Sequence, residues 1–546
     1  MKGINAIANI LKLEGVEYLF CFPANVLIDA AATVGIRPIL ARTERTALSI
    51  ADGYTRVSNG NRIGVCAVQQ GPGIENVFPG VAQAFADAVP ILLLPGGEAR
   101  HRLGVSPHFE AVMNYQKVTK WVAQINLADR IPEMMRRAFT LLRCGKNGPV
   151  VLETPTDVAS EEVDDANFSY TPVKGRKTVG NAPDVKEAVK AVLAAENPLI
   201  HVGQGVMYAC ATNELIEFAE LVQAPVMTTM AGKSAFPENH PLSIGMGGHT
   251  GTDMVGHFLQ KADLVFGIGC SFSKSIFSTP IPNGKVMVQV TVDEYDINKE
   301  YPIDHAIIGD AKLVLEQLID EVKRQAGPEG RRGNEEVAKE VKSLKDAWLS
   351  RWMPKLTSDE VPINPYRVIW DLMHTVDRTQ TVVTHDSGNP RDQMCPFYEA
   401  IIPRGYIGWG KSTQLGYSLG LAMGAKLAEP EKLVVNVMGD AAFGMSGMDF
   451  ETAVRSKIPI LTIILNNSAL GGYEKHMPVA TERYGTKYLS GDYAKVAEGL
   501  GGVSFKVEKP EDIIPTIKKG KESVNSGQPT LIEVITREDT DFSRAW

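Results

Sequence analysis

Three times along its 546 residues the chain repeats one local pattern: an apolar helix, a short polar break, and a proline that opens an apolar, β-branched run. The runs are Pro90-Ile-Leu-Leu-Leu, Pro225-Val-Met-Thr-Thr and Pro459-Ile-Leu-Thr-Ile-Ile-Leu. A strand that is apolar at nearly every position has no face to turn to water. It needs cover on both sides, which a parallel sheet flanked by helices provides. A second echo joins only the outer instances, Gly148-Pro-Val-Val-Leu-Glu153 and Gln528-Pro-Thr-Leu-Ile-Glu533. The pattern predicts an α/β chain of three doubly wound parallel-sheet domains, the first and third related in topology.

At about 150 residues per domain the length agrees with three or four units. Two charged, Pro- and Gly-containing stretches, at about 159–184 and 323–346, mark the joints. The later half of the second, Asn334 to Leu349, spaces Val337, Val341, Leu344 and Trp348 as an amphipathic connecting helix would. The expected domains are therefore 1–165, 185–325 and 345–546.

With 44% hydrophobic and 22% charged residues, disorder and collagen-like or coiled-coil architectures are excluded. The 56 basic residues are outnumbered by 64 acidic ones and form no basic stripe, so no nucleic-acid partner is expected. Six cysteines without a CxxC pair read as reduced thiols. The start of the chain has no leader-like segment, and no apolar run reaches the roughly 18 residues that cross a bilayer. A cytoplasmic protein without a membrane partner is the expectation.

The chemistry concentrates in the third block. Val435-Asn-Val-Met-Gly-Asp440 reads as a strand ending in Gly-Asp, followed by a small-residue turn at Ala441 and Ala442. An amphipathic helix comes next, with Met448, Phe450 and Ala453 among its apolar positions, and then a strand from Ile458 to Leu465 ending in Asn466-Asn467. Consecutive strand ends meet at the carboxyl edge of a doubly wound sheet, where ligands bind. One β–α–β unit thus brings the oxygens of Asp440 and Asn467 to one point. A carboxylate, an amide oxygen and a nearby backbone carbonyl make a hard-oxygen set for Mg²⁺ or Ca²⁺ rather than zinc. The helix start at the same edge favours a phosphate, so a metal-bridged diphosphate satisfies both features.

Gly439-Asp-Ala-Ala-Phe443…Asn466-Asn467 resembles the thiamine diphosphate motif of the superfamily of acetolactate synthase, pyruvate decarboxylase and benzoylformate decarboxylase. Thr43-Glu44…Ala51-Asp-Gly-Tyr-Thr-Arg56 resembles that family's catalytic-glutamate segment. Gly71-Pro-Gly-Ile-Glu-Asn76 resembles its Gly-Pro-Gly-x-x-Asn loop, and the likeness runs through essentially the whole chain. The resemblance implies pyrimidine-binding, central and diphosphate-binding domains in that order. It also implies thiamine diphosphate and Mg²⁺ as cofactors, with Asp440, Asn467 and the Ala469 carbonyl on the metal. Cofactor contacts would come from Gly388, Asn389, Thr413, Leu415, Gly439, Asp440, Ala441, Ala442, Asn467, Ala469, Leu470 and Gly471. Leu415 would bend the cofactor and Glu44 would share a proton with its aminopyrimidine. By the same pattern the pyrimidine end comes from another subunit, making a homodimer the minimum and a homotetramer the expected assembly. The implied reaction is decarboxylation of a 2-oxo acid with carboligation to a second carbonyl. Open alternatives are a non-ligating decarboxylase, a 2-hydroxyacyl lyase, a 1,2-diketone hydrolase or a catalytically silent cofactor-binding protein.

Around the expected substrate the match loosens. Asn25, in Pro23-Ala-Asn, could bond a substrate carboxylate or carbinol, or cap the following helix. Gln69 and Gln70 could donate to a substrate oxygen or satisfy loop carbonyls. His108 stands as a possible proton donor or a structural loop residue, and Tyr473 or Glu474 could face substrate. The catalytic set is thus Glu44, Asn25, Gln70 and His108. In the central domain Gly203-Gln-Gly205, Gly267-Ile-Gly269 and Asp293 leave FAD or ADP open. Cys270-Ser-Phe-Ser-Lys274 lacks both arginines of the stretch through which acetolactate synthases hold FAD, which disfavours it.

Overall fold

The computed structural model describes residues 1–164, 166, 168–275, 277–333 and 335–545. Its strands form three six-stranded sheets. The first contains β1 (Tyr18–Cys21), β2 (Arg37–Leu40), β3 (Gly64–Val68), β4 (Ile91–Gly97), β5 (Trp121–Gln124) and β6 (Val150–Pro155), ordered β2-β1-β3-β4-β6-β5. The second contains β7 (Pro198–Val202), β8 (Val226–Thr228), β9 (Ser243–Met246), β10 (Leu264–Ile268), β11 (Val286–Thr291) and β12 (His305–Ile308), ordered β12-β11-β10-β7-β8-β9. The third contains β13 (Thr381–His385), β14 (Tyr406–Ile407), β15 (Leu433–Gly439), β16 (Leu461–Asn466), β17 (Val503–Val507) and β18 (Thr530–Ile535), ordered β14-β13-β15-β16-β18-β17.

Every pairing within these sheets is parallel. Counted from its own first strand, the third sheet repeats the order of the first, whereas the second follows the dinucleotide-fold order. The three proline-led runs become β4, β8 and β16. Proline falls at or just before each strand, where its missing N–H removes no interior ladder bond. β3, β7, β10, β13 and β16 are buried along their whole length, as their largely apolar or β-branched sequences require.

The connecting helix runs Glu336–Leu356, with Val341 and Trp348 buried. Asn334, from which the sequence pattern starts that helix, lies outside the described residues, as do the domain-end residues 165 and 546.

The first and third sheets share one apolar core. Phe20, Leu48, Val68 and Tyr115 of the first domain pack in a cluster with Trp409, Leu421, Met438 and Phe443 of the third. The helices Glu44–Val57 and Ser418–Ala428 form the joint. They approach so closely that a Cβ at Gly53 would stand 2.1 Å from the Leu421 carbonyl oxygen, and one at Gly424 would stand 2.0 Å from that of Ile50. Among the described residues no helix is long and apolar enough to cross a membrane.

Candidate cofactor site

In the third sheet β13 connects to β14 on one side while β15 lies on the other, so the winding reverses between β13 and β15. A crevice opens at the carboxyl ends of strands at such a reversal. There a cavity of about 220 Å³ is lined by Gly388, Asn389, Thr413, Leu415, Gly439, Asp440, Ala441, Ala442, Asn467, Ala469, Leu470 and Gly471. All twelve third-domain residues anticipated around a cofactor therefore meet at one place. They come from the ends of β13, β15 and β16 and from the loop before the helix Ser418–Ala428.

Asp440 is 3% exposed. Its Oδ1 accepts from the Ala441 N–H at 2.7 Å, while Oδ2 is buried without a partner. Burial pushes its pKa above the ordinary carboxylate value, against the pull of the N–H groups of Ala441, Ser468 and Ala469. Ser468 sits at φ 52°, a left-handed turn that folds the chain back after β16, and Asn467 Oδ1 accepts from the Ala469 N–H at 3.0 Å. An orphaned buried carboxylate oxygen beside an amide oxygen is what a hard cation satisfies. Among the described residues no three His, Cys, Asp or Glu side chains cluster as a metal site. The set that the resemblance implies, one carboxylate, one amide and a backbone carbonyl, is of a different kind.

Two local expectations are corrected. Ala441 and Ala442 belong to a helix that starts at Asp440 itself (Asp440–Ser446), because β15 runs straight into it without a separate turn. Met448 lies in a 3₁₀ turn, 56% exposed, rather than on a buried helix face; the buried apolar positions are Ala442, Phe443, Phe450 and Ala453.

The first-domain candidates gather at the matching edge of their own sheet. Glu44 is 5% exposed at the first turn of its helix, which Thr43 caps, and the Asn76 side-chain amide reaches its Oε2 at 3.5 Å. Gln69 and Gln70 follow β3. The Asn25 amide donates to the carbonyls of Val68 (2.8 Å) and Leu94 (3.1 Å), and its Oδ1 accepts from the Leu27 N–H (2.9 Å). Asn25 thus ties the end of β3, the middle of β4 and a helix start, and only an acceptor lone pair remains for any ligand. His108 is half-buried in the segment after β4, and burial raises the pKa of the Glu153 carboxylate, against the hydrogen bond it accepts from Gln124. None of these residues lines the third-domain cavity of the same chain.

Tyr473 does line the cavity. Glu474 does not: its carboxylate is taken by Lys487 Nζ at 2.7 Å, an ion pair that holds it below the ordinary carboxylate range. The cavity also has walls that motif spacing could not supply. Phe277 comes from the central domain, and the Arg391 guanidinium lies 4.4 Å over its ring while bonded to Asp392 at 2.9 and 3.0 Å. Arg391 sits in the helix that Gly388 caps, so its nearness to the anticipated Asn389 was the available signal. Arg537 follows β18 and had none.

A larger cavity, about 1060 Å³, involves all three sheets' loops; Gly203, Gln204, Gly205, Gly269, Cys270 and Lys274 are among its walls. A Cβ at Gly203 would lie 2.2 Å from the Gly269 carbonyl oxygen. Close packing of the two loops therefore already requires a glycine there. Asp293 faces Lys146 Nζ at 2.7 Å. His201 Nδ1, Gln204 Oε1 and Tyr208 OH, on residues that line this cavity, are buried without partners.

The chain matches the thiamine pyrophosphate enzyme family in three segments: the N-terminal TPP binding domain over residues 1–125, the central domain over 185–318 and the C-terminal TPP binding domain over 386–534. It is similar to a probable acetolactate synthase large subunit of Methanocaldococcus jannaschii, 31% identical over 98% of this chain and 92% of the relative. It is also similar to the acetolactate synthase isozyme 3 large subunit of Escherichia coli K12, at 28% over 98% and 94%. The glyoxylate carboligase of Escherichia coli O157:H7 is 30% identical over 100% and 94%. With these matches added to the three parallel sheets and the crevice at β13 and β15, the chain belongs to the thiamine diphosphate-dependent enzymes of the acetolactate synthase-like superfamily.

Proposed function

We propose that this enzyme uses Mg²⁺ with thiamine diphosphate to decarboxylate a 2-oxo acid and join the acyl unit to a second carbonyl compound. The observation that carries the reading is the third-domain cavity, where twelve anticipated residues surround a buried carboxylate oxygen without a partner. Asp440, the Asn467 side chain and the Ala469 carbonyl would hold the cation. Gly388, Asn389, Gly439, Ala441, Ala442, Leu470 and Gly471 would surround the diphosphate, with Thr413 and Leu415 toward the pyrimidine. Bound there, thiamine diphosphate would supply the electron sink that lets a bond beside a carbonyl break. The chain's own part is to position and to manage one proton. Glu44, almost fully buried, would share that proton with the aminopyrimidine in a pocket where water does not compete.

Glu44 stands outside the cavity of its own chain, which supports a site completed by the first domain of a second copy. Exposed apolar side chains near both half-sites favour the same assembly: Val105 and Met113 on the first domain, Met445, Tyr484 and Tyr488 on the third. We infer a homodimer as the minimum and a homotetramer as the full assembly, built from domains 1–165, 185–325 and 345–546. The six free cysteines fit a reducing, cytoplasmic setting.

Carboligation is supported by relatives that bear the names acetolactate synthase and glyoxylate carboligase. Among the substrate-facing candidates, Tyr473 reaches the cavity, while Gln69, Gln70 and His108 would act from the partner's first domain. Acid quenching of enzyme, Mg²⁺ and thiamine diphosphate mixed with a panel of 2-oxo acids, 1,2-diketones and 2-hydroxyacyl thioesters tests the reading. A covalent adduct with a 2-oxo acid and a C–C-joined ketol product are expected. An aldehyde product would instead establish a simple decarboxylase, and no adduct with any donor would refute the reaction class. A nucleotide in the central cavity is a separate reading, favoured by the unpartnered atoms of His201, Gln204 and Tyr208; calorimetric titration with ADP and FAD tests it.

A further inference from the structure

The loop from Gly408 to Tyr417 places Thr413 and Leu415 against the third-domain cavity, yet it lies outside every helix and strand. Its shape is set by two buried carboxylates. Asp386, just past β13, accepts from the N–H groups of Ser387 (2.8 Å), Gly416 (2.9 Å) and Ser418 (3.0 Å) and from the Ser418 hydroxyl (2.6 Å). The other carboxylate belongs to a different domain. Asp87, at the end of the helix Pro72–Ala86, accepts from the N–H groups of Gly410 and Lys411, each at 3.1 Å.

Asp87 is fully buried. Its remaining lone pairs are met by Arg56 Nη2 at 3.2 Å and Gln83 Nε2 at 2.9 Å. Arg56, also fully buried, is held in place by a two-pronged bond to Asp52 at 2.7 and 2.9 Å. A buried carboxylate is costly unless its acceptor sites are filled. Half of the donors that fill this one are loop amides of the third domain. At the far end of the loop, Arg45 donates to the Leu415 carbonyl, and the Gln414 amide donates to the carbonyl of Pro79. The first domain therefore grips the loop of its own chain at both ends, on either side of Thr413.

We propose that Asp87 and Arg45 are positioning residues that hold the Thr413–Leu415 loop in its cofactor-facing shape from the first domain of the same chain. The assignment rests on the proposed function for the role of Thr413 and Leu415. It gives the helix Glu44–Val57 two duties: Glu44 faces the site shared with the partner, while the next residue fixes the loop of its own chain's site.

Hydrogen–deuterium exchange on the full-length, cofactor-free protein tests this directly, comparing wild type with Asp87→Asn, Asp87→Glu and Arg45→Met. In Asp87→Asn, the Gly410 and Lys411 amides are expected to exchange about ten- to a hundredfold faster, the scale of one lost charge-assisted hydrogen bond, with β15 unchanged. In Arg45→Met, the acceleration should centre on residues 414–416, and this variant decides the matter if Asp87→Asn does not fold. With Mg²⁺ and thiamine diphosphate, both variants should slow hydrogen exchange at C2 of the bound cofactor and lower kcat more than they raise KM. Asp87→Glu should recover part of the effect. Loop exchange equal to wild type in the folded variants would overturn the proposal. If wild type itself fails to bind thiamine diphosphate, the reading of the site falls, while the loop measurement still reports on Asp87 and Arg45.

Discussion

Glu44→Gln and Asp440→Ala remove opposite halves of a site that is divided between two chains in the proposed dimer. Asp440 and the other eleven third-domain candidates line one cavity, and Glu44, on the first domain, lines no part of it within the same chain. Alone, Glu44→Gln is expected to lower turnover by about a hundredfold or more, the scale of a lost positioned proton-transfer group. Asp440→Ala should abolish metal-dependent cofactor retention. In a mixed twofold dimer the two lesions fall together in one site and leave the other intact. Random reassortment makes half of the dimers mixed, each with one working site of two, so a one-to-one mixture should recover about a quarter of wild-type activity. Mixed dimers isolated through two different affinity tags should recover about half. The assay is 2-oxo acid consumption at saturating Mg²⁺ and thiamine diphosphate. Purified mixed dimers as inactive as either parent would refute the divided site.

Asp440→Ala removes the carboxylate that would face the cation, so Mg²⁺-dependent binding of thiamine diphosphate should weaken at least about 30-fold by calorimetry; an unchanged affinity would sink the metal assignment. Gly424→Ala drives a Cβ to within 2.0 Å of a backbone oxygen on the facing helix. A loss of about 1–3 kcal/mol is expected in urea unfolding, and an unshifted midpoint would mean that the helices part easily. Burial pushes the His201 pKa from 6.5 down to about 4. As pH falls the unfolded chain takes up that proton first, so His201's contribution is whole above about pH 6.5. It is lost toward pH 4, at most about 3 kcal/mol in all. His201→Phe should flatten the fall of Tm over that window, and a parallel fall in both proteins would contradict this.

What could be read from the sequence was whatever lies within one β–α–β unit. Asp440 and Asn467 are joined by a single helix, so their meeting follows from the winding rule alone, and β4, β8 and β16 announced themselves as apolar runs behind proline. Gly388, Thr413 and Leu415 needed the family resemblance, because the strands that bring them together are not consecutive. The side chains misread, or left with two readings, were those whose partners lie far along the chain or where a motif had no room to record them. Asn25 looked available, but its amide is occupied by carbonyls of β3 and β4. Glu474 looked free until Lys487 folded onto it. Phe277 reaches the cavity from another domain, and Asp87 is answered by amides more than 300 positions away. Hydrogen bonds to backbone N–H groups leave no residue-type signature at the far end.

The paired helices that join the outer domains also set a schedule for synthesis. Val57 and Ser418 are 361 positions apart (418 − 57). At roughly 5–20 residues per second, the first helix waits about 20–70 s for its counterpart to emerge. Until then the groove beside Gly53 is empty, the shared core is half built and Asp87 lacks two of its donors. A fragment ending before residue 418 should bind a hydrophobic dye that the whole chain excludes, and failure to do so would show that the first domain closes on itself. During translation the N-terminal third therefore has an unsatisfied face that only the last quarter of the chain covers.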